Sequence, residues 1–262
     1  MNNTFQAARF WFLLKKSIYE KPFQLTGLTL LSMVAVLIIY AFLKTVSGFE
    51  VAQTVSFLTG LTGGCIIASV VYAYFSSNAM GYSFLTLPAS AFEKWLCGIL
   101  LTGLYLLLFL VFFRVMDTFF VSYFLRHLNL QRAHYKNIYE SVTIFRFDSM
   151  VALQAFVMFL NFAGAMLVGS LYFNKTPFIK IALVICGVWC GAFVINLVIA
   201  KWMIPEAANA FPYLLVWINI GKDVARLDLP DYASHIVKLS FNFIIPAILW
   251  MLSYIRLKEK EF

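Results

Sequence analysis

Six long apolar runs punctuate the chain: Leu25 to Leu43, Val55 to Phe75, Trp95 to Phe113, Met150 to Phe173, Ile181 to Ala200 and Leu239 to Ile255. A helix needs about 20 mostly apolar residues to cross a bilayer, so each run predicts one transmembrane helix. The runs are continuous rather than alternating, which argues against a barrel, and in lipid only helices and closed barrels satisfy every backbone polar group. The predicted fold class is all-α: a polytopic bundle of six spans forming one domain over residues 1–262, without linkers or solenoid repeats.

An element of different character precedes the spans. Over residues 4–21, Ala7, Phe10, Trp11, Leu14 and Ile18 form an apolar stripe at helical spacing. Gln6, Arg9, Lys16, Ser17 and Glu20 lie opposite, with Leu13 the one apolar residue on the polar side. This pattern predicts an amphipathic helix along the membrane surface, stopped by Pro22, whose polar face (Arg9, Lys16, Glu20) is a candidate contact for a partner. Residues 1–22 do not read as a secretory signal, because their apolar core is short and broken by Lys15 and Lys16.

The connection between the second and third spans, Ser76 to Lys94, carries the most local signal. Ser90 and Glu93 have the spacing of a capping box, which starts the third helix before the membrane. Pro88 breaks what precedes it, and Asn78 can cap a short helix through Met80, Tyr82 and Phe84. Together with Leu85 these side chains present a mixed apolar surface on a loop, read as a surface meant to be covered. On the other side, Leu128 to Asp148, with Arg132, Tyr135, Tyr139 and Phe145, is read as resting at headgroup level. Within Lys201 to Lys238, the stretch Ala207 to Ile220 reads as re-entrant or interfacial, and the acids Asp223, Asp228 and Asp231 as a solvated face.

Composition narrows the classes. With 62% hydrophobic residues and a mean hydropathy of +0.85, no separate soluble domain is left to assign. The net charge of +8 suits anionic headgroups, so membrane lipids are expected partners; no basic cluster is dense enough to track phosphates, so nucleic acid is not. Arg9, Lys15, Lys16 and Lys21 precede the first span and only Lys44 follows it closely, which predicts a cytoplasmic N-terminus; six spans return the C-terminus to the same side. Cys65, Cys97, Cys186 and Cys190 fall inside spans and read as packing residues, even the pair at 186 and 190.

Histidines within spans, HExxH, paired intramembrane carboxylates and a chain of buried acids are all missing from the sequence. That weighs against an intramembrane enzyme and an ion-coupled pump, and no catalytic, cofactor-binding or metal residue is assigned. One ionisable pair stands out: Arg114 and Asp117, three apart at the outer end of the third span. It reads as a self-satisfied pair at the interface, with a gate as the functional alternative. Gly60, Gly64 and Ala68 recur every four residues, and Gly187 with Gly191 forms GxxxG; both mark helix-packing faces within or between subunits.

Two strings carry a family resemblance. LPASAFEKW, Leu87 to Trp95, and GSLYFNKTPFIK, Gly169 to Lys180, together with the order of elements, resemble the permease subunits of ABC-2 type exporters of Bacteroidetes-like bacteria. The resemblance implies a multi-pass protein of the bacterial inner membrane that pairs with a second permease, a copy or a paralogue, and with cytoplasmic ABC ATPase subunits. Carried onto this chain, it implies an ATPase-coupling loop at Ser76, Asn78, Met80, Tyr82 and Phe84, followed by Pro88, Ser90, Glu93 and Lys94, and a connecting helix from Phe5 to Lys21. The chain has no Walker A motif, so ATP and Mg are expected on the partner and no cofactor on this polypeptide. The functional expectation is export of a hydrophobic or amphiphilic substrate; the alternative is a non-transporting scaffold or regulatory subunit that docks a cytoplasmic partner.

Overall fold

The computed structural model describes residues 5–20, 22–72, 84, 86–127, 142–173, 177–203, 207–211, 215–220, 223–228 and 230–260. Six helices are long and apolar enough to cross a membrane, and they form the all-α polytopic bundle expected. An amphipathic helix α1 (Ala7–Glu20) leads into α2 (Pro22–Val46), α3 (Phe49–Val71), α4 (Ala91–His127), α5 (Met150–Tyr172) and α6 (Pro177–Met203). The last span joins α7 (Asp231–Leu239), a π-helical turn (Ser240–Ile244) and α8 (Ile245–Glu259). The end of the bundle that carries α1 is called the near rim below, and the opposite end the far rim.

The span boundaries differ from the apolar runs where polar residues sit on helices. The first two spans meet in a turn of only Ser47 and Gly48, whose φ of +86° is a left-handed conformation that glycine adopts freely. The third helix does not stop at Phe113: α4 has 37 residues, so it is about 55 Å long and overshoots a hydrocarbon core of about 30 Å. Between α6 and α7 lies a small antiparallel sheet, β1 (Ala207–Phe211), β2 (Leu215–Ile220) and β3 (Asp223–Asp228), in the order β1-β2-β3. Within the stretch Ala207 to Ile220, expected to be re-entrant or interfacial, the described residues are strands: Val216, Ile218 and Ile220 are β-branched, and β2 pairs with β3 in register from Leu215 opposite Asp228 to Ile220 opposite Asp223.

The core lies where α3, α4 and α5 meet. Phe57 of α3 is 1% exposed and has Phe109, Phe113, Phe145, Phe147 and Phe156 within 6 Å, centroid to centroid. Gly60 and Gly64 make this approach feasible: a Cβ at Gly60 would strike the Phe109 ring, and one at Gly64 would lie 2.7 Å from Phe159 and 2.9 Å from Tyr105. Their packing role is thus within the chain. Gly187 and Gly191 have no atom within 4 Å of where a Cβ would stand, and Cys186 and Cys190 are exposed rather than packed. α6 is the least buried span, with few of its residues enclosed by the chain, whereas most of α3 is buried.

Candidate functional site

At the near rim, Glu93 ends up fully buried and fully bonded. The capping box forms as expected: the Ser90 N–H donates to Glu93 Oε2 at 2.8 Å, and the Glu93 N–H donates to Ser90 Oγ at 3.3 Å. The same carboxylate also serves a second helix. Gln6, whose carbonyl accepts the first helical bond of α1 from the Phe10 N–H, donates its own N–H to Glu93 Oε1 at 2.8 Å. Arg9 completes a two-pronged pair, Nη2 to Oε1 and Nε to Oε2, each at 2.8 Å. Two helix N-termini, each with unsatisfied N–H groups and the positive end of a dipole, therefore converge on one acid, and a guanidinium fork uses its remaining acceptor capacity.

Other contacts spread this joint. Cys97 Sγ lies 3.7 Å from Ser17 Oγ, linking α4 to α1. The Trp95 Nε1–H donates to Ser253 Oγ at 2.8 Å and to the Trp250 carbonyl at 3.1 Å, linking α4 to α8. Arg256 of α8 sits 4.4 Å from the Tyr172 ring centroid and pairs with Glu259 at 2.7 Å.

These contacts revise several expectations. The face of α1 that meets the bundle is Leu13, Leu14 and Ser17, while Trp11, Phe12 and Tyr19 are exposed, so Leu13 is no intruder but part of the buried face. Arg9 is engaged by Glu93, and of the three polar-face candidates only Lys16 and Glu20, paired with each other at 3.3 Å, face outward. Phe84 is buried rather than presented, with Lys94 Nζ 5.7 Å from its ring centroid, and Lys94 itself is 1% exposed. Pro88 is exposed. Ser76, Asn78, Met80 and Tyr82 lie outside the described residues.

At the far rim, Asp117 is 1% exposed and Arg114 is not its partner. The Tyr40 hydroxyl donates to Asp117 Oδ1 at 2.6 Å, Gln53 Nε2 to the same oxygen at 2.9 Å, and the Phe145 N–H to Oδ2 at 2.7 Å. Gln53 uses its second amide hydrogen on the Thr143 carbonyl at 2.8 Å, and Arg114 Nη1 donates to the Phe145 carbonyl at 2.9 Å. The self-satisfied Arg114–Asp117 pair is thus replaced by two grips on one residue of the following segment. Phe145, expected at headgroup level, is buried, because an extended segment with its backbone held by side chains can place its rings in the core. Arg146 and Asp148 close the turn beyond it at 2.8 Å, and the guanidinium holds the exposed Asp148 carboxyl below the usual carboxylate range.

A third arrangement lies between the rims. Pro246 has no N–H, and the preceding turn is π-helical: the Ile245 N–H reaches the Ser240 carbonyl, five residues back. In that register the next carbonyl, that of Phe241, loses the donor Pro246 lacks. Asn161 of α5 supplies one, its Nδ2 donating to Phe241 O at 2.9 Å. An intramembrane backbone break thus finds its donor on a neighbouring helix.

Sequence reading located Ser90, Glu93, Arg114 and Asp117 but missed Tyr40 and Gln53. Tyr40 sits inside an apolar run and Gln53 just before one; neither position signals a partner more than sixty residues away. Among the described residues, no group of three or more His, Cys, Asp or Glu side chains could hold a metal.

The fold and these clusters define a multi-pass helical membrane protein with cross-braced rims. No family model, curated protein or solved structure matches the chain.

Proposed function

We propose that this chain is the membrane subunit of an ABC-2-like exporter in the bacterial inner membrane, moving a hydrophobic or amphiphilic substrate with ATP hydrolysed, with Mg, on a separate ATPase. A second permease, copy or paralogue, completes the pathway. The near rim faces the cytoplasm.

The observation that carries this reading is the Glu93 joint. It ties α1 and the start of α4 into one unit through Gln6, Arg9 and Ser90, at the foot of a helix that runs uninterrupted to the far rim. A push at the near rim is therefore conducted along a rod rather than absorbed in a loop. Few intramembrane charges and a braced inner face suit a bundle driven from outside itself.

The test is purification of the full chain in mild detergent from the cell that makes it, with mass spectrometry of what accompanies it. An ATPase bearing a Walker A motif is expected with the wild type, and M80A/Y82A is expected to release or uncouple it. Wild-type protein without such a companion, or turnover by the purified chain alone in vesicles, overturns the reading.

A further inference from the structure

The segment 142–149, between α4 and α5, has no regular structure, and among the described residues its backbone is held, apart from the turn that leads into α5, by side chains of the bundle. Three side chains on two helices hold two of its residues by their main chain: Gln53 the Thr143 carbonyl, Asp117 the Phe145 N–H and Arg114 the Phe145 carbonyl. Tyr40, from a third helix, braces Asp117 without touching the segment.

What the segment covers is also ordered. Tyr105, Phe109, Phe113 and Asp117 follow one another every four residues on α4, so they line one face. The rings form a column, Tyr105 to Phe109 at 6.3 Å and Phe109 to Phe113 at 5.7 Å, with Phe57 alongside. Phe145 sits on its upper end, 5.5 Å from Phe113 and 4.9 Å from Phe57, and Phe147 lies 6.3 Å from Phe113. Arg114 lies over the Phe147 ring at 5.8 Å.

We propose that residues 142–149 form a releasable strap closing the far rim over this aromatic column, latched through its main chain by Gln53, Arg114 and Asp117. The latch is all-or-none, because Asp117 is enclosed and has Tyr40, Gln53 and Phe145 as its donors: withdrawing the Phe145 N–H leaves a buried acid oxygen that only water or a new donor can satisfy. Closed, the strap seals the column; lifted, it exposes Phe57 and Phe113 at a mouth edged by an acid, an amide and a guanidinium. The helices α3, α4 and α5 keep their mutual contacts either way, through Phe57, Phe109 and Phe156. The strap stands or falls independently of any ATPase, since it concerns the isolated chain.

Arg146 offers a direct readout, because it is exposed between two seated rings. Trypsin can cut after it only when the strap leaves its seat. In detergent, cleavage of the wild-type chain after Arg146, followed by mass spectrometry, is expected to be slow. Asp117→Asn turns one acceptor into a donor facing other donors, and Arg114→Gln shortens the clamp. Each is expected to speed that cut by about tenfold, the factor lost with one hydrogen bond of ordinary strength, while the helical circular dichroism and melting midpoint stay near wild type. Equal cutting in all three proteins overturns the proposal. So does acceleration seen only together with loss of helical signal, which would make the segment an integral part of the bundle.

Discussion

Glu93 and Asp117 lie on the same helix, each with its carboxyl enclosed, yet they hold different things. Glu93 meets a guanidinium and the N–H groups at two helix starts, so it welds one helix to another. Asp117 meets a hydroxyl, an amide and one main-chain N–H, so it fastens a segment without regular structure. The separation of 24 positions corresponds to about 36 Å of helix. A buried acid therefore says little by itself. Its partners decide whether it makes a rigid joint or a catch.

The sharpest way to break that comparison is to make the same change at both ends. Glu93→Gln puts an NH2 group against donors that include Arg9 and strands part of a charged network, so it is expected to cost about 3 kcal/mol and lower the melting midpoint in detergent. Asp117→Asn is expected to cost about 1 kcal/mol, with its effect confined to the strap. Equal losses at the two sites would show that both acids merely support the bundle.

A mid-bundle pair sharpens it further. Asn161→Leu leaves the Phe241 carbonyl without a donor and is expected to cost about 1 kcal/mol, within the range of interhelical hydrogen bonds in membranes. In a Pro246→Ala background, where a backbone N–H returns, the same substitution should cost little. A double-mutant cycle of thermal melts reads the coupling; additive costs would show that Asn161 does not compensate the proline.

The smallest effect belongs to Asp148, which is exposed and paired only with Arg146. Its carboxyl is held below the usual range, so the pair contributes above the ordinary aspartate pKa and is lost as pH falls through the lowered value. Asp148→Asn is expected to leave the melting midpoint unchanged at neutral pH in moderate salt, where such pairs are screened. A clear drop would place Asp148 in the strap's seat.

Much of the fold could be read from the chain, because lipid leaves little choice. Apolar runs of span length, such as Met150 to Phe173, map onto helices almost residue for residue. The capping box at Ser90 and Glu93 was equally legible, since both partners are local. Arg9 could be placed on a polar face, but not opposite Glu93, 84 positions away. The strap was misread because Phe145 looks interfacial unless one knows that Gln53, Arg114 and Asp117 wait for the backbone of Thr143 and Phe145.

What the sequence determined, then, was everything set by short spacing and by the solvent: six spanning helices, an amphipathic helix before them, and where the third span begins. Tertiary structure decided which polar groups meet: Glu93 with two helix starts, Asp117 with the main chain of an irregular segment, Asn161 with a proline-orphaned carbonyl. The physical reason is that burying an apolar surface is non-directional and shows in composition, whereas a hydrogen bond needs two particular atoms about 3 Å apart, and only the packed bundle brings them there.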